Sequence, residues 1–392
     1  MKAREQEKLD RQYMARALKL ASHGLYTASP NPAVGCVIVR DGKIIGEGWH
    51  HRAGEGHAEI MALESVNGSV KGSTVYVTLE PCSHYGRTPP CAVRLVHEGI
   101  KRCVIAVGDP NPKVSGRGVR ILKSAGIEVK TGVLEKKAWF LNRAFMKAIT
   151  SDKPFVTVKT GMSLDAKIAL KDGQSQWITS AGSRSQAMDL RARSDAIITG
   201  SGTVIADNPR LSVRYAELPG KAKKKVSESE IRQPLKVVLD SRSRLNPDDF
   251  ELFKAGGRVL WCTAQKKEQS VREERIDDRV TRLYVPSEGG HISLSGVLEY
   301  LGTHQIRRVL VEAGGTLTGS FISADLADEV CAFVAPVLLG TQSQSAFVLS
   351  APQTLSESAR LCLHSVKKIG DDVRLHYLNV KTAAALAVHG GH

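Results

Sequence analysis

Short β-branched runs alternate with amphipathic helical segments in two successive series along the chain, and this alternation restricts the fold to helices laid over sheets. The first series opens with Tyr13, Met14, Ala17, Leu18 and Ala21 at helical spacing within residues 10–23. "AVGCVIVRDGKIIGEGW" then reads as two strands around the Asp41-Gly42 turn, a strong hairpin signal. A helix follows at "HAEIMALESV", then a strand at "STVYVTLE", a helix at "PPCAVRLVHEG", a strand at "RCVIAVG", a helix at "GRGVRILKSAG" and a strand at "IEVKTG". The expected first domain is an α/β sandwich with a mostly parallel sheet. One long helix over "EKKAWFLNRAFMKAI" leads to "TSDKP", where Pro154 disfavours helix at Lys153. The domain boundary is therefore expected at residue 152.

The second series, residues 153–380, alternates again. Strands are expected at "FVTVKT", "DAIITG", "LKVVLD", "RVLWC", "RRVLVEAGG" and "EVCAFVAPVLLG", with helices around "GSRSQAMDLRARS", "SLSGVLEYLG" and "TLTGSFIS". No internal repeat is evident, so the halves are expected to be different α/β folds. Residues 381–392, "KTAAALAVHGGH", are too weakly patterned to assign and are expected to be a tail. A chain of 392 residues exceeds what one hydrophobic core normally organises.

Composition excludes several classes of protein. No run of about 18 apolar residues exists to span a bilayer. The charged N-terminus lacks the apolar core of a signal peptide, which points to the cytoplasm. Seven scattered cysteines do not resemble a secreted disulfide framework. The net charge of +15 is spread over both halves, and the "KAKKK" cluster at 221–225 reads as a solvated loop. With aromatics at only 5%, a nucleic-acid partner is not expected.

The chemistry gathers around residues 57–91. Zinc-assisted hydrolysis of an amino-heterocycle needs three protein ligands, an open fourth position and a carboxylate to move protons. His57, Cys82 and Cys91 are the candidate ligands, and Glu59, two residues after His57 at a helix start, is the candidate general acid/base. The usual pattern has Cys-x-x-Cys, whereas Cys82 and Cys91 are separated by eight residues. The extra residues read as a loop inserted between two fixed ligands, placing His84 and Arg87 where they can line the pocket. Asn31, between Pro30 and Pro32, is either a rigid presenter of its amide to a ligand or a plain turn residue. In the second half, "EAGGTLTGS" joins a strand to a helix in a way that suits a phosphate, although it is not a G-x-G-x-x-G.

The series "SPNPAVGCVIV", "GWHHRAGEGHAE", "LEPCSHYGRTPPC", "GDPNPKVSGRG", "SLDAKIA", "SQWITS", "GSGTVIADNPRL" and "VEAGGTLTGS" resembles the bifunctional riboflavin-biosynthesis deaminase-reductases over about residues 11–380. The resemblance implies a cytidine-deaminase-like α/β/α sandwich that hydrolyses the amine of a diamino-phosphoribosylaminopyrimidine. It also implies a dihydrofolate-reductase-like domain that uses NADPH to reduce the ribosyl group to ribityl. One of His50 and His51 becomes a substrate contact, with His50 the candidate. Gly314, Gly315, Thr316, Leu317, Thr318, Gly319 and Ser320 become the cofactor loop, joined by Gly161, Trp177, Thr203, Asp207 and Ser241. Ser175, Arg191, Leu211, Arg214 and Glu312 become substrate contacts, and the two arginines make sense as anchors for a ribose phosphate. Where the family pattern has Ser-Leu-Asp-Gly, this chain has Ala166 after Asp165, so the local turn is expected to differ slightly.

Strand "LKVVLD" ends at Asp240, followed by Ser241 and Arg242, which can hold a ribose 2′-phosphate; Asp240 alone would favour NADH, and the resemblance decides for NADPH. A homo-oligomer, dimer or tetramer, is expected. Two rival readings are weaker. A nucleoside or tRNA deaminase would not need the second half, and a catalytically dead binding scaffold would not need all three ligands together with Glu59.

Overall fold

Asp41 (φ 51°) and Gly42 (φ 72°) both lie at positive φ, the backbone of a two-residue hairpin turn, and they fold β1 (Gly35–Arg40) onto β2 (Lys43–Trp49). The structure, a computed structural model, describes residues 3–84, 89–111, 115–266 and 269–389. Residues up to Ser151, together with those from Ala385 on, form one compact unit, and Asp152–Ala384 form the other.

In the first unit β3 (Thr74–Leu79), β4 (Arg102–Val107) and β5 (Glu128–Lys130) complete a sheet of order β2-β1-β3-β4-β5. Pairings β1–β2 and β1–β3 are antiparallel, while β3–β4 and β4–β5 are parallel. The expectation of a mostly parallel sheet is thus corrected. The tight hairpin turns β2 back along β1, and a helical crossover keeps β3 parallel to β2, so β1 runs against both neighbours. The helices are α1 (Ala3–Ala21), α2 (Ala58–Glu64), α3 (Cys91–His97), α4 (Arg117–Ser124), α5 (Glu135–Leu141) and α6 (Arg143–Thr150). They cover a core that includes Met14, Ala17, Val37, Leu95 and Ile105. α2 rides directly on β2: a Cβ at Gly48 would lie 2.4 Å from the Ala62 backbone nitrogen and 2.7 Å from the Ala58 carbonyl.

Two features escaped the sequence pattern. The helix expected over 135–149 is broken at Asn142, whose buried amide accepts from Ala33 N–H (2.8 Å) and donates to Ala33 C=O (2.9 Å). Those bonds hold the segment just after Asn31. Asp10, fully buried on α1, meets Arg102 (2.7 and 2.9 Å), Lys130 (3.0 Å) and the Tyr76 hydroxyl (3.0 Å). Burial by itself would raise its pKa, but hydrogen bonds from Arg102, Gln6 and Lys130 hold the carboxyl below the usual range.

The second unit contains strands β6 (Phe155–Ser163), β7 (Lys167–Ala169), β8 (Ala196–Gly200), β9 (Leu235–Leu239), β10 (Val259–Gln265), β11 (Arg272–Arg275), β12 (Val280–Glu288) and β13 (His291–Ile292). They are followed by β14 (Arg308–Glu312), β15 (Glu329–Ala335), β16 (Gln344–Ser345), β17 (Leu361–Ile369) and β18 (Asp372–Asn379). The main sheet runs β11-β12-β10-β9-β8-β14-β6-β15-β18-β17, and its centre, from β10 to β15, is parallel. Its helices are α7 (Ala181–Ala192), α8 (Ser201–Asp207), α9 (Gly220–Lys223), α10 (Glu251–Lys254), α11 (Leu294–Thr303) and α12 (Gly315–Ser323). Lys221, Lys223 and Lys224 of the basic cluster are exposed on and after the single turn α9. The β17–β18 hairpin was not legible, because the apolar residues of β17, Leu361, Leu363 and Val366, lose strict alternation where the register shifts between Leu363 and Ser365.

Ala166 itself takes φ 58°, its N–H donating to Ser163 C=O (3.0 Å) and its carbonyl accepting from Ala346 N–H (2.9 Å). Positive φ at this position costs roughly 1–2 kcal/mol for a residue with a Cβ. The expected tail is also corrected. α13 (Val380–Val388) is helical, as its run of good helix formers favours, and Ala385 and Leu386 pack on the first unit's core. No helix among the described residues is long and apolar enough to cross a membrane.

Candidate active sites

In the first unit, His57 is the N-cap residue of α2, Cys82 follows the end of β3, and Cys91 opens α3 directly after the N-cap Pro90. His57 Nδ1 lies 3.5 Å from Cys82 Sγ and 3.3 Å from Cys91 Sγ, and the three atoms all fall within 4.8 Å of one another. Tetrahedral zinc with bonds of about 2.0–2.3 Å sets its ligand atoms roughly 3.3–3.8 Å apart, so two thiols and an imidazole at this spacing fit that ion. No other such group of ligands occurs among the described residues. Cys91 N–H donates to Cys82 Sγ (3.2 Å), and hydrogen bonding from Cys91 lowers the pKa of the Cys82 thiol while that of the Cys91 thiol is raised. A bound dication replaces the thiol proton.

Glu59 is 4% exposed, and burial pushes its carboxyl up to about 7, against the Cys91 thiol. A proton-transfer group works best with its pKa near the working pH. His50 is 2% exposed, with its ring edge-on to His57 at 5.5 Å, while His51 stacks on Trp49 at 4.4 Å. Of the two, His50 is the one that faces the cluster. Burial lowers its pKa and keeps it neutral; Nδ1–H donates to Gly56 C=O (3.0 Å), so Nε2 accepts from Asn31 Nδ2 (3.0 Å). Asn31 Oδ1 remains available as an acceptor. His84 is exposed, and Arg87 lies outside the described residues.

In the second unit a cavity of about 900 Å³ opens at the carboxyl ends of the parallel strands, where ligands collect in such sheets. Gly161, Ser175, Thr203, Asp207, Leu211 and Ser241 line it. Gly314, Gly315, Thr316, Leu317 and Ser320 line it too, and Gly314 N–H donates to Thr203 Oγ1 (3.2 Å). Thr318 and Gly319 of the expected cofactor loop do not: they are buried, and a Cβ at Gly319 would meet Val348 C=O at 1.9 Å. Gly319 therefore serves close packing against the segment around Val348. Trp177 is 68% exposed, under the Arg184 guanidinium at 4.3 Å, and does not line the cavity.

Of the two expected phosphate anchors, Arg191 lines the cavity and makes two bonds to Glu312 (2.6 and 2.9 Å), while Arg214 is exposed, paired with Glu217 and outside the lining. Lys159, not anticipated from the sequence, lines the cavity with Nζ 3.8 Å from Glu312. Burial would raise the Glu312 pKa, yet the positive charges of Arg191 and Lys159 hold it at about 2. Arg244 and His291 also line the cavity without having been anticipated. No local motif signals any of these three.

The fold and the two sites define a zinc-type amine hydrolase joined to a domain built to hold an extended phosphorylated ligand over a parallel sheet. Residues 7–107 match the family described as the cytidine and deoxycytidylate deaminase zinc-binding region, and residues 154–375 match the RibD C-terminal domain. The chain is 42% identical to the riboflavin biosynthesis protein RibD of Escherichia coli (strain K12), over 94% of this chain and 98% of that protein. Against RibD of Haemophilus influenzae it is 40% identical, over 93% and 96%. Among solved structures, Acinetobacter baumannii RibD superposes with a TM-score of 0.84 at 40% identity, covering 95% of this chain and 99% of that one. The deaminase/reductase of Thermotoga maritima gives 0.82 at 33% identity, covering 95% and 99%. The chain belongs to the RibD family, the bifunctional deaminase-reductases of riboflavin biosynthesis. Its first unit is the cytidine-deaminase-like domain and its second the dihydrofolate-reductase-like domain.

Proposed function

We propose that His57, Cys82 and Cys91 hold the zinc ion and that Glu59 moves the protons of deamination. The observation that carries this is the buried Glu59 carboxyl lying against Cys91 beside three ligand atoms within 4.8 Å of one another. Zinc, when bound, supplies a water nucleophile that is active at neutral pH. Glu59 takes a proton from that water and delivers it to the ring nitrogen, then passes the second proton to the departing amine, so substrate and water become the uracil and ammonia. Asn31 Oδ1 accepts a hydrogen bond from the pyrimidine, held in place by neutral His50. His84 belongs at the open rim of the same site.

The substrate is 2,5-diamino-6-(5-phosphoribosylamino)pyrimidin-4-one. Its deaminated product goes to the cavity of the second unit, where NADPH supplies the hydride that converts ribosyl to ribityl. The cofactor lies along Gly161, Thr203, Asp207, Ser241 and the Gly314–Leu317 turn, whose backbone N–H groups at the start of α12 suit its phosphates. Glu312, kept ionised by Arg191 and Lys159, accepts from the sugar hydroxyls; Ser175 and Leu211 complete the substrate wall. Seven free cysteines suit a reducing compartment, so we place the enzyme in the cytoplasm. Leu363 and Val366, each 57% exposed on β17, support a homo-oligomer, which light scattering tests.

Glu59→Gln tests the assignment. It should retain zinc and the reduction of already deaminated substrate while deamination disappears, because an amide cannot shuttle protons. Deamination at the wild-type rate in that variant would remove Glu59 from the mechanism.

A further inference from the structure

The first unit is discontinuous in sequence: residues up to Ser151 build most of it, and those from Ala385 on, which follow the whole second unit along the chain, belong to it as well. Ala385 and Leu386 of α13 pack, half-buried, on the apolar core that contains Ala138 and Trp139 of α5. Just past the helix, the His389 ring stacks on Trp139 at 5.7 Å with 25° between the planes. His389 Nδ1–H donates to Glu135 Oε1 (3.0 Å), since an ionised carboxylate can only accept. α13 therefore meets α5 through an apolar contact, a ring stack and a hydrogen bond.

α5 has only seven residues, too few to hold a helix in water unaided, so its place depends on what packs against it. Glu135 and Trp139 stand at i and i+4 on it, and Asn142, where the helix breaks, follows at i+7. The buried Asn142 amide holds both the N–H and the C=O of Ala33 (2.8 and 2.9 Å). Only Pro32 separates Ala33 from Asn31, whose Nδ2 meets His50 Nε2 at 3.0 Å. An unbroken series of contacts thus runs from α13 through α5 and Asn142 to Asn31, and contiguous packing of this kind can carry coupling between distant groups. His57, Glu59, Cys82 and Cys91 stand on α2, after β3 and on α3, outside that series.

We propose that α13 is a positioning strap for the deaminase: Leu386 and His389, set against α5, fix Asn142 and through it the place of Asn31 Oδ1 opposite the pyrimidine. Leu386 and His389 are positioning residues and touch no reacting atom. This rests on the reading of Asn31 as the pyrimidine contact.

The test follows deamination and reduction by the full chain, with hydrogen exchange as the structural readout. Leu386→Asp puts a charge on the packed face and should release α13, so that its amides and the Ala33 N–H exchange faster. The KM for deamination should rise about three- to tenfold, as one misplaced hydrogen bond implies, while kcat changes by less than about twofold. Zinc content and the reduction of already deaminated substrate should stay at wild-type values, which shows that the variant is folded. Leu386→Met, which keeps the apolar contact, should restore the wild-type KM, and His389→Ala should raise it by less than Leu386→Asp does. Asn31→Ala should raise KM by itself, and adding Leu386→Asp to it should raise KM no further, because both act through one contact. Faster exchange of α13 with an unchanged KM, joint loss of kcat and zinc, or additive effects in the double variant overturn the strap alone. A wild-type KM in Asn31→Ala overturns the reading of Asn31 and the strap with it.

Discussion

Replacing Arg191 by Met strips the main partner from a carboxylate that has almost no access to water. The Glu312 side chain is 10% exposed at the end of β14 and receives both Arg191 bonds, with Lys159 Nζ at 3.8 Å. Burial opposes its ionisation; the neighbouring charges and the Arg191 hydrogen bonds overcome that and hold it at about 2, against 4.5 ordinarily. At about 1.4 kcal/mol per pH unit, the shift corresponds to about 3 kcal/mol, the same order as the ~3–5 kcal/mol for removing one member of a buried pair. Because the folded pKa is depressed, this contribution is fully present above pH 4.5 and is lost as pH falls toward 2. Arg191→Met should therefore cost ~3 kcal/mol near neutrality, and the deficit should shrink in acid as Glu312 protonates. Urea unfolding followed by fluorescence across that pH range measures both effects. Adding Glu312→Gln to Arg191→Met should recover part of the loss, since no buried charge is then left alone. A deficit below about 1 kcal/mol, or one independent of pH, would refute the ion-pair account.

Cys82→Ser should abolish zinc binding, measured by atomic absorption, and deamination with it; full occupancy in that variant would remove Cys82 from the ligand set. Asn142→Ala leaves the buried N–H and C=O of Ala33 without partners, so the chain should lose about 2–4 kcal/mol of stability and bind pyrimidine more weakly through the loosened Asn31 turn. Thermal unfolding that shifts by less than a few degrees would sink that assignment. Ala166→Gly should stabilise the second unit by up to about 1 kcal/mol, because glycine adopts φ 58° without a Cβ clash. A fall in the unfolding midpoint would show that the turn carries no strain.

Much of the first site was legible because its signals are local. His57-Ala58-Glu59 sits at a helix start, Pro81-Cys82 after a strand and Pro90-Cys91 at the next helix start, so each candidate ligand is fixed by the turn it occupies. Choosing between His50 and His51 was not local: it depended on which ring the β2 exit turns toward His57 and which onto Trp49. The reductase contacts were legible as loops but not residue by residue. "EAGGTLTGS" is correctly a strand-to-helix turn over the cavity, yet only the packing of Val348 shows that Gly319 faces the fold.

The sequence by itself determined what depends on period, turn chemistry and short spacing: two α/β units divided near Pro154, the Asp41-Gly42 hairpin, and the candidate cluster of His57, Cys82 and Cys91 with Glu59 beside it. Tertiary structure decided what depends on side chains brought together from far apart. Arg191 meets Glu312 across 121 residues, Asn142 meets Ala33 across 109, and Asp10 meets Arg102 across 92. An arginine reads identically in the sequence whether it will anchor a phosphate or neutralise a buried acid. Only the folded neighbourhood, by removing water and supplying a partner, fixes which charge is spent inside the protein and which is left for a ligand.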